Sequence, residues 1–263
     1  MHPTRHPAHL ILLAVLAAAS TAQAGEEFLS FTGKAVDAET GTHLYTENYF
    51  LRLVDGGLRE RIVVYTCPDA AADAFARKTV DVVDRFKPSF ELVDQRSGYV
   101  EGFDPANRKV KFRAGPNAEL QEAVVEDSDT LVVDSGFDEF VLKHWDTLLG
   151  GDKMAIDFVV PSQQEALGFK IRHLESGTVV GRPAETFRLA LTGLLGLIAD
   201  GIDVSYDREN RQLLRFAGLS NLRDAEGDNY TVRIDFLPAD RKSLPDGSAL
   251  TEARTRALDG RCP

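Results

Sequence analysis

The side chains able to do chemistry in this sequence are few and scattered. Beyond an apolar leader there are three histidines, His43, His144 and His173, and two cysteines, Cys67 and Cys262. A structural or catalytic metal site draws its ligands from closely spaced positions, and these histidines fall on separate predicted elements. A Ser-His-Asp arrangement can be drawn from Ser162, His144 and one of many aspartates, but such a triad is recognised by geometry and not by composition. Paired carboxylates for glycoside chemistry meet the same excess of candidates. The patterns GxSxG, HExxH, GxxxxGK[ST] and GxGxxG are absent, so nucleophile-elbow, zincin, phosphate-loop and dinucleotide chemistry have no local signature. The runs YTENY (Tyr45–Tyr49) and RSGYVEG (Arg96–Gly102) place Tyr, Glu and Arg on hairpins, where they read as cross-strand pairing and turn chemistry. His144, beside the only Trp, Trp145, is the most suggestive residue.

The compartment is easier to read than the chemistry. Arg5 and a Leu10–Ala19 apolar core precede Ala22-Gln23-Ala24, the form of a secretory signal with a small-x-small cleavage site. The reading is a leader over 1–24, cleaved near Ala24, a periplasmic location, and a single β-rich domain over 25–263. The apolar run falls short of the roughly 20 residues of a membrane span. The formal charge is −11, and removing the leader takes one Arg and no acid, giving −12. Nucleic acid is excluded as a partner by that acidity, because phosphate binding needs concentrated Lys and Arg. In an oxidising compartment the even pair Cys67 and Cys262 reads as a disulfide closing almost the whole domain. The chain-entropy argument assigns such a loop up to about 5 kcal/mol.

The elements that must position these residues are mostly strands with period-two alternation. Phe28–Val36, His43–Val54 and Arg59–Cys67 form one meander, turning at Asp37–Gly41 and Asp55-Gly56-Gly57. Pro68–Lys78 is Ala-rich and reads as a short helix or an extended hairpin loop. Short strands follow at Phe90–Gln95, Tyr99–Phe103 and Lys109–Arg113. A second meander runs through Met154–Val160, Phe169–Leu174, Glu185–Leu191, Asp203–Tyr206, Leu213–Phe216 and Tyr230–Phe236. Its polar face carries Lys170, Arg172, Arg188, Arg215 and Arg233, with Asp157, Glu185 and Asp235 as cross-strand partners.

One amphipathic helix, Gly136–Leu149, separates the meanders. Ser135 or Asp134 caps it, Asp138 and Glu139 favour its first turn, and Gly150 and Gly151 stop it. Phe137, Phe140, Val141, Trp145 and Leu148 share its apolar face, with His144 among them. Thr192–Gly201 (TGLLGLIADG) is apolar and interrupts the second meander, as a plug or a gate. The tail from Pro238 to Pro263 loses periodicity apart from a short helix near Leu250–Leu258, and the Cys67–Cys262 link gives it a reason to be ordered.

DSGFDEFVLKHWDTLLGG followed by MAIDFVVPS, and later IDVSYDRENRQLLRFAGLSNLRD with YTVRIDF, resemble segments of an uncharacterised group of exported bacterial envelope proteins. In outline the chain is also similar to the half-barrel lipoprotein carriers of the periplasm. The expected fold is mainly β (α+β), a curved antiparallel meander or open barrel with the helix packed on its concave face. Fifteen Phe exceed what a thin core needs, and the expected function is a periplasmic binding or carrier module for an apolar or lipid-like ligand. The residues expected to line its cavity are Phe140, His144, Trp145, Phe158, Phe187 and Phe216. The competing expectations are an envelope hydrolase using His144 and a structural envelope protein without a small ligand. No cofactor or metal is implied, and the protein partner is left open.

Overall fold

The computed structural model of the chain describes residues 25–68, 70–193 and 201–262. The expected leader and most of the Thr192–Gly201 segment lie outside the described residues. The first meander comprises β1 (Glu26–Asp37), β2 (His43–Val54), β3 (Gly57–Cys67), β4 (Ala70–Asp81), β5 (Ser89–Asp94), β6 (Tyr99–Asp104), β7 (Lys109–Arg113) and β8 (Gln121–Val124). A link follows through β9 (Leu131–Val132), α1 (Gly136–Lys143) and α2 (Trp145–Leu149). The second meander is β10 (Lys153–Val160), β11 (Glu165–Val179), β12 (Arg182–Leu191), β13 (Ile202–Asp207), β14 (Leu213–Arg223) and β15 (Asn229–Asp235). The tail adds β16 (Lys242–Leu244) and α3 (Ser248–Thr255).

Among the described residues these strands make one sheet of 16, ordered from β8 back to β1, then β15 back to β9. Neighbours in sequence pair as antiparallel hairpins, and β9 joins β10 in parallel. The two meanders meet where β1 pairs β15 over Lys34↔Asp235 to Asp37↔Val232. The first part of β1 is covered instead by β16, Phe28↔Leu244 to Ser30↔Lys242. This is the curved, open antiparallel sheet that the alternation implies. Its far edges return to one another without a ladder. Val80, Phe103 and Val110 of the first meander pack with Leu131, Val133 and Val159 of the link and second meander. Gln164, after the single turn Pro161–Gln163, donates to Gln121 at 2.5 Å.

Turn chemistry sets the registers. Asp37 Oδ1 accepts from the backbone N–H of Thr40 at 2.7 Å and of Glu39 at 3.1 Å, and Gly41 takes φ 72°. Asp55 and Gly56, with φ 52° and 73°, make the two-residue turn that matches the twist of paired strands. The β11–β12 turn uses Val180 and Gly181 at φ 44° and 78°. A β-branched residue is poorly suited to the left-handed region.

Three expectations change. Ala70–Asp81 is a strand and neither helix nor loop. Helix propensity gives way because Ala74, Phe75 and Ala76 are fully buried beside β3, where small side chains allow close packing. The helix is not continuous: His144, at φ −103° and ψ 20°, ends α1 and starts α2. His144 N–H still bonds Phe140 O at 3.1 Å and Leu148 N–H bonds His144 O at 2.9 Å, so the break is a kink. Of the two expected stop glycines, Gly151 is the left-handed one, at φ 96°.

The disulfide Cys67–Cys262 is present, with Cα atoms 5.3 Å apart. The tail has other anchors too. Leu250 and Ala253 of α3 pack on Ile62, Val64 and Ala74, and Gly260 N–H bonds Ala74 O at 2.8 Å. Outward-facing charges pair across strands, as with Arg188–Asp203 at 2.6 Å and Arg215–Asp235 at 2.5 Å.

The Val180 turn yields a direct test. Val180→Asn relieves a left-handed β-branched residue and is expected to stabilise the protein by about 1 kcal/mol in urea unfolding. A loss of stability would mean that Val180's contacts with Val179, Ala184 and Leu214 outweigh the backbone strain.

Candidate functional site

Helix α1 and α2 close one end of the curved sheet. Phe137, Phe140, Val141, Trp145 and Leu148 bury against Ile156, Ile171, Phe187, Leu189, Val204 and Tyr206 of β10 to β13. Gly136 lies so close to the loop before β5 that a Cβ there would come within 2.2 Å of Phe86 O. The start of α1 is thereby fixed inside the barrel, and its acidic first turn faces the first meander.

That first turn meets charge from across the barrel. Arg61 of β3 donates from both terminal nitrogens to Asp138 Oδ2 at 3.3 Å, and Tyr206 of β13 donates to Asp138 Oδ1 at 2.7 Å. Lys78 Nζ of β4 donates to Asp134 at 2.8 Å, with Asp134 only 8% exposed. Glu47 of β2 is buried and accepts from the Tyr49 hydroxyl at 2.6 Å. Glu101 of β6 accepts from the Tyr99 hydroxyl at 2.7 Å and from the Asn221 amide. Buried charge costs free energy unless it is paired, and these groups are paired or hydrogen-bonded.

Their protonation follows from burial. Desolvation pushes the Glu47 and Glu101 carboxyls above the ordinary value, against their tyrosine hydrogen bonds and the Lys78 charge. Burial also raises the Tyr49, Tyr65 and Tyr206 phenols, which remain proton donors. Desolvation works against the Lys78 cation, but Asp134, with Glu101 and Glu47, more than offsets it and raises the ammonium above its ordinary value.

A cavity of about 200 Å³ lies between this charged floor and the second meander. One side is polar, with Glu47, Arg61, Lys78, Asp134 and Asp138. The other is apolar, with Phe158, Leu189, Ile202, Val204, Leu213 and Phe216. Leu219, on the cavity wall and 51% exposed, marks its mouth.

The expected lining residues divide. Phe158 and Phe216 line the cavity. Phe140, Trp145 and Phe187 instead lie in the core that seats the helix, at 7%, 4% and 0% exposure. They are anchors of the plug because the helix turns its apolar face to the sheet and its acidic turn to the cavity. His144 sits at the kink, half-buried, with its ring 4.5 Å from that of Phe140. Burial and the Lys143 charge hold its imidazole below the ordinary value. Among the described residues its ring nitrogens have no hydrogen-bond partner, so a triad with Ser162 is not assembled there. His173 instead shares a hydrogen bond with buried Glu185 at 2.8 Å, with its ring beside that of Phe187. Among the described residues no group of three His, Cys, Asp or Glu side chains has the geometry of a metal site.

The floor itself escaped the sequence reading, although it left a signal. Glu47 shares the parity of Tyr45, Tyr49 and Leu51, Arg61 that of Val63 and Tyr65, and Glu101 that of Tyr99 and Phe103. Each is a charge in an otherwise inward apolar stripe, on β2, β3 and β6.

No family model matches the chain. No curated protein matches it either. Solved structures give distant fold matches. A β-barrel-like protein with a domain of unknown function from Brucella abortus is 9% identical, with 83% of this chain and 98% of that chain covered and a TM-score of 0.36. MucB is 12% identical over 90% of this chain at a TM-score of 0.27, and the match spans 55% of MucB. A domain named for outer membrane lipoprotein sorting, from Vibrio parahaemolyticus, is 9% identical, covering 89% of this chain and 92% of that one, at a TM-score of 0.29. At such scores these matches carry no argument about this chain.

The floor predicts a specific pH response. The folded pKa of Glu47 exceeds its ordinary value of 4.5, so the proton favours the fold below that value and this stability is lost as pH rises through the folded pKa. Glu47→Gln keeps an acceptor for Tyr49 and cannot ionise. Its thermal midpoint should exceed that of the unsubstituted protein at about pH 8 and approach it at about pH 4. Lys78→Met strands buried Asp134 and should cost about 3 kcal/mol in urea unfolding. Equal midpoints for Glu47→Gln and the parent at every pH would remove the buried-proton account.

Proposed function

We propose that the protein is an exported binding or carrier module that holds an apolar or lipid-like ligand in the barrel cavity. The observation that carries this reading is the cavity itself, about 200 Å³ with a wall of Phe158, Ile202, Val204, Leu213 and Phe216 opening beside Leu219. An apolar cavity of roughly 150 Å³ suffices to hold a benzene-sized guest. The space therefore suits a ring or a stretch of acyl chain, with the rest of a larger ligand outside the mouth. A mostly apolar concavity with a few convergent polar groups is the usual form of a ligand site. The disulfide supports an oxidising compartment, and the leader remains the expected route to the periplasm with cleavage near Ala24. On this reading Phe158 and Phe216 contact the ligand, while Phe140, Trp145 and Phe187 hold the helix that forms the cavity's end.

The test is native mass spectrometry on protein purified from its own envelope, with Val204→Trp as the comparison. Val204 is 4% exposed and lines the cavity, and a larger side chain there costs about 1–3 kcal/mol in strain. The expected result is a bound apolar or lipid mass on the unsubstituted protein and its loss from a folded Val204→Trp protein. Ligand-free protein that also fails to take up a neutral naphthylamine probe would overturn the proposal.

A further inference from the structure

Among the described residues five acids are buried: Glu47, Asp94, Glu101, Glu185 and Asp207. Four of them have both carboxylate oxygens engaged. Arg96 donates to the two oxygens of Asp94 at 3.2 and 2.7 Å. Glu101 accepts from the Tyr99 hydroxyl on one oxygen and the Asn221 amide on the other. Glu185 is bonded by Ser176 and by Arg208 on separate oxygens. Asp207 accepts from Arg182 and from the backbone N–H of Glu209.

Glu47 is the exception. Its Oε2 accepts from the Tyr49 hydroxyl at 2.6 Å. Its Oε1 has no hydrogen-bond partner among the described residues, and the carboxylate forms no ion pair, although the residue is only 5% exposed. The two cations on the same floor are committed elsewhere, Arg61 to Asp138 and Lys78 to Asp134. Nor is Oε1 sealed within the wall, as the Nε of Arg61 is. Glu47 lines the cavity, and this oxygen opens on it. Across the β2–β3 register Glu47 faces Tyr65, which also lines the cavity. The Tyr65 hydroxyl is a second polar group on that wall without a hydrogen bond among the described residues.

Buried polar groups in folded proteins nearly always have a partner, and an ionised carboxylate can only accept. The partner missing from Oε1 is therefore a donor, and the cavity is the side from which it can come. A carboxylate or phosphate entering the same space would find both cations already answered by Asp134 and Asp138 and would face Glu47.

We infer that the cavity's ligand is an amphiphile whose polar end is a hydrogen-bond donor, a hydroxyl or an ammonium, given to Glu47 Oε1, with its apolar part lying along Phe158 and Phe216. The inference rests on the carrier reading and sets which head groups enter: donors are taken and anions are refused.

The experiment measures displacement of a neutral naphthylamine probe by decanol, decylammonium, decyl methyl ether and decanoate, on the full chain and on Glu47→Gln. A pH of about 8 favours the carboxylate form of Glu47. Decanol and decyl methyl ether differ by one donor. The parent protein should bind decanol or decylammonium about tenfold more tightly than the ether, the scale of one hydrogen bond to a charged group. Decanoate should bind more weakly than decanol. A preference for decylammonium over decanol identifies an ion pair, and the reverse an uncharged head. Glu47→Gln, with its oxygen kept on Tyr49, turns an amide N–H to the cavity and should abolish the preference for donors. Ether binding to the parent as tightly as decanol and decylammonium overturns the inference and leaves the carrier reading standing. Decanoate binding more tightly than decanol overturns it in favour of an anion site. Binding of none of the probes overturns both. The parent comparison does not depend on the fate of the variant.

Discussion

The architecture depends on a constraint of electrostatics: an acidic helix turn is buried inside a barrel, and it must be met by cations from the opposite wall. Asp134 and Asp138 favour the start of α1 through the helix dipole, but inside the sheet they need more than that. Arg61 and Lys78 supply it from β3 and β4, while Tyr206 supplies a neutral donor from β13. These bonds span the two meanders, so the helix is cross-linked to both halves of the sheet at one point. Apolar packing of Trp145 and Leu148 sets its depth, and the charge pairs set its rotation. Directional bonds can do what area burial cannot, because burial is indifferent to small rotations.

The same pairs keep the cavity from filling. Charged side chains cannot collapse onto Phe158 and Phe216 without losing partners, so the space between the polar and apolar walls persists. A wholly apolar interior would be expected to close up to native packing density. The mixed lining thus serves shape as well as recognition.

How much of this was legible in the sequence varied with the physics involved. Strand alternation and turn residues fixed most of the sheet, because they report local sterics and one-sided burial. Ala70–Asp81 was misread because Ala favours helix in isolation, while here its small size serves packing beside β3. The kink at His144 was invisible to periodicity, since Phe140, Val141, Trp145 and Leu148 keep helical spacing through it. The extent of the cavity was hard to read for a related reason. Spacing shows which residues share a face, and Phe140 and Phe187 do lie on inward faces, but it does not say which part of an interior is empty. The charged floor is assembled from β2, β3, β4, β6 and the start of α1, and both of its ion pairs, Arg61–Asp138 and Lys78–Asp134, join residues more than fifty positions apart.

One feature of the topology bears on how the chain reaches this state. The opening strand β1 finds its partners in β2, close by, and in β15 and β16, near the other end of the chain. Each meander can zip from its own hairpins, yet neither is joined to the other until the last strands exist. Such remote pairings raise contact order and slow folding relative to local ones. Meanwhile β1 and the second meander present unsatisfied backbone edges of the kind that invite pairing with other chains. The period between the first hairpin and the arrival of β15 is therefore when this protein is most exposed to aggregation, and a chaperone that shields strand edges would act there.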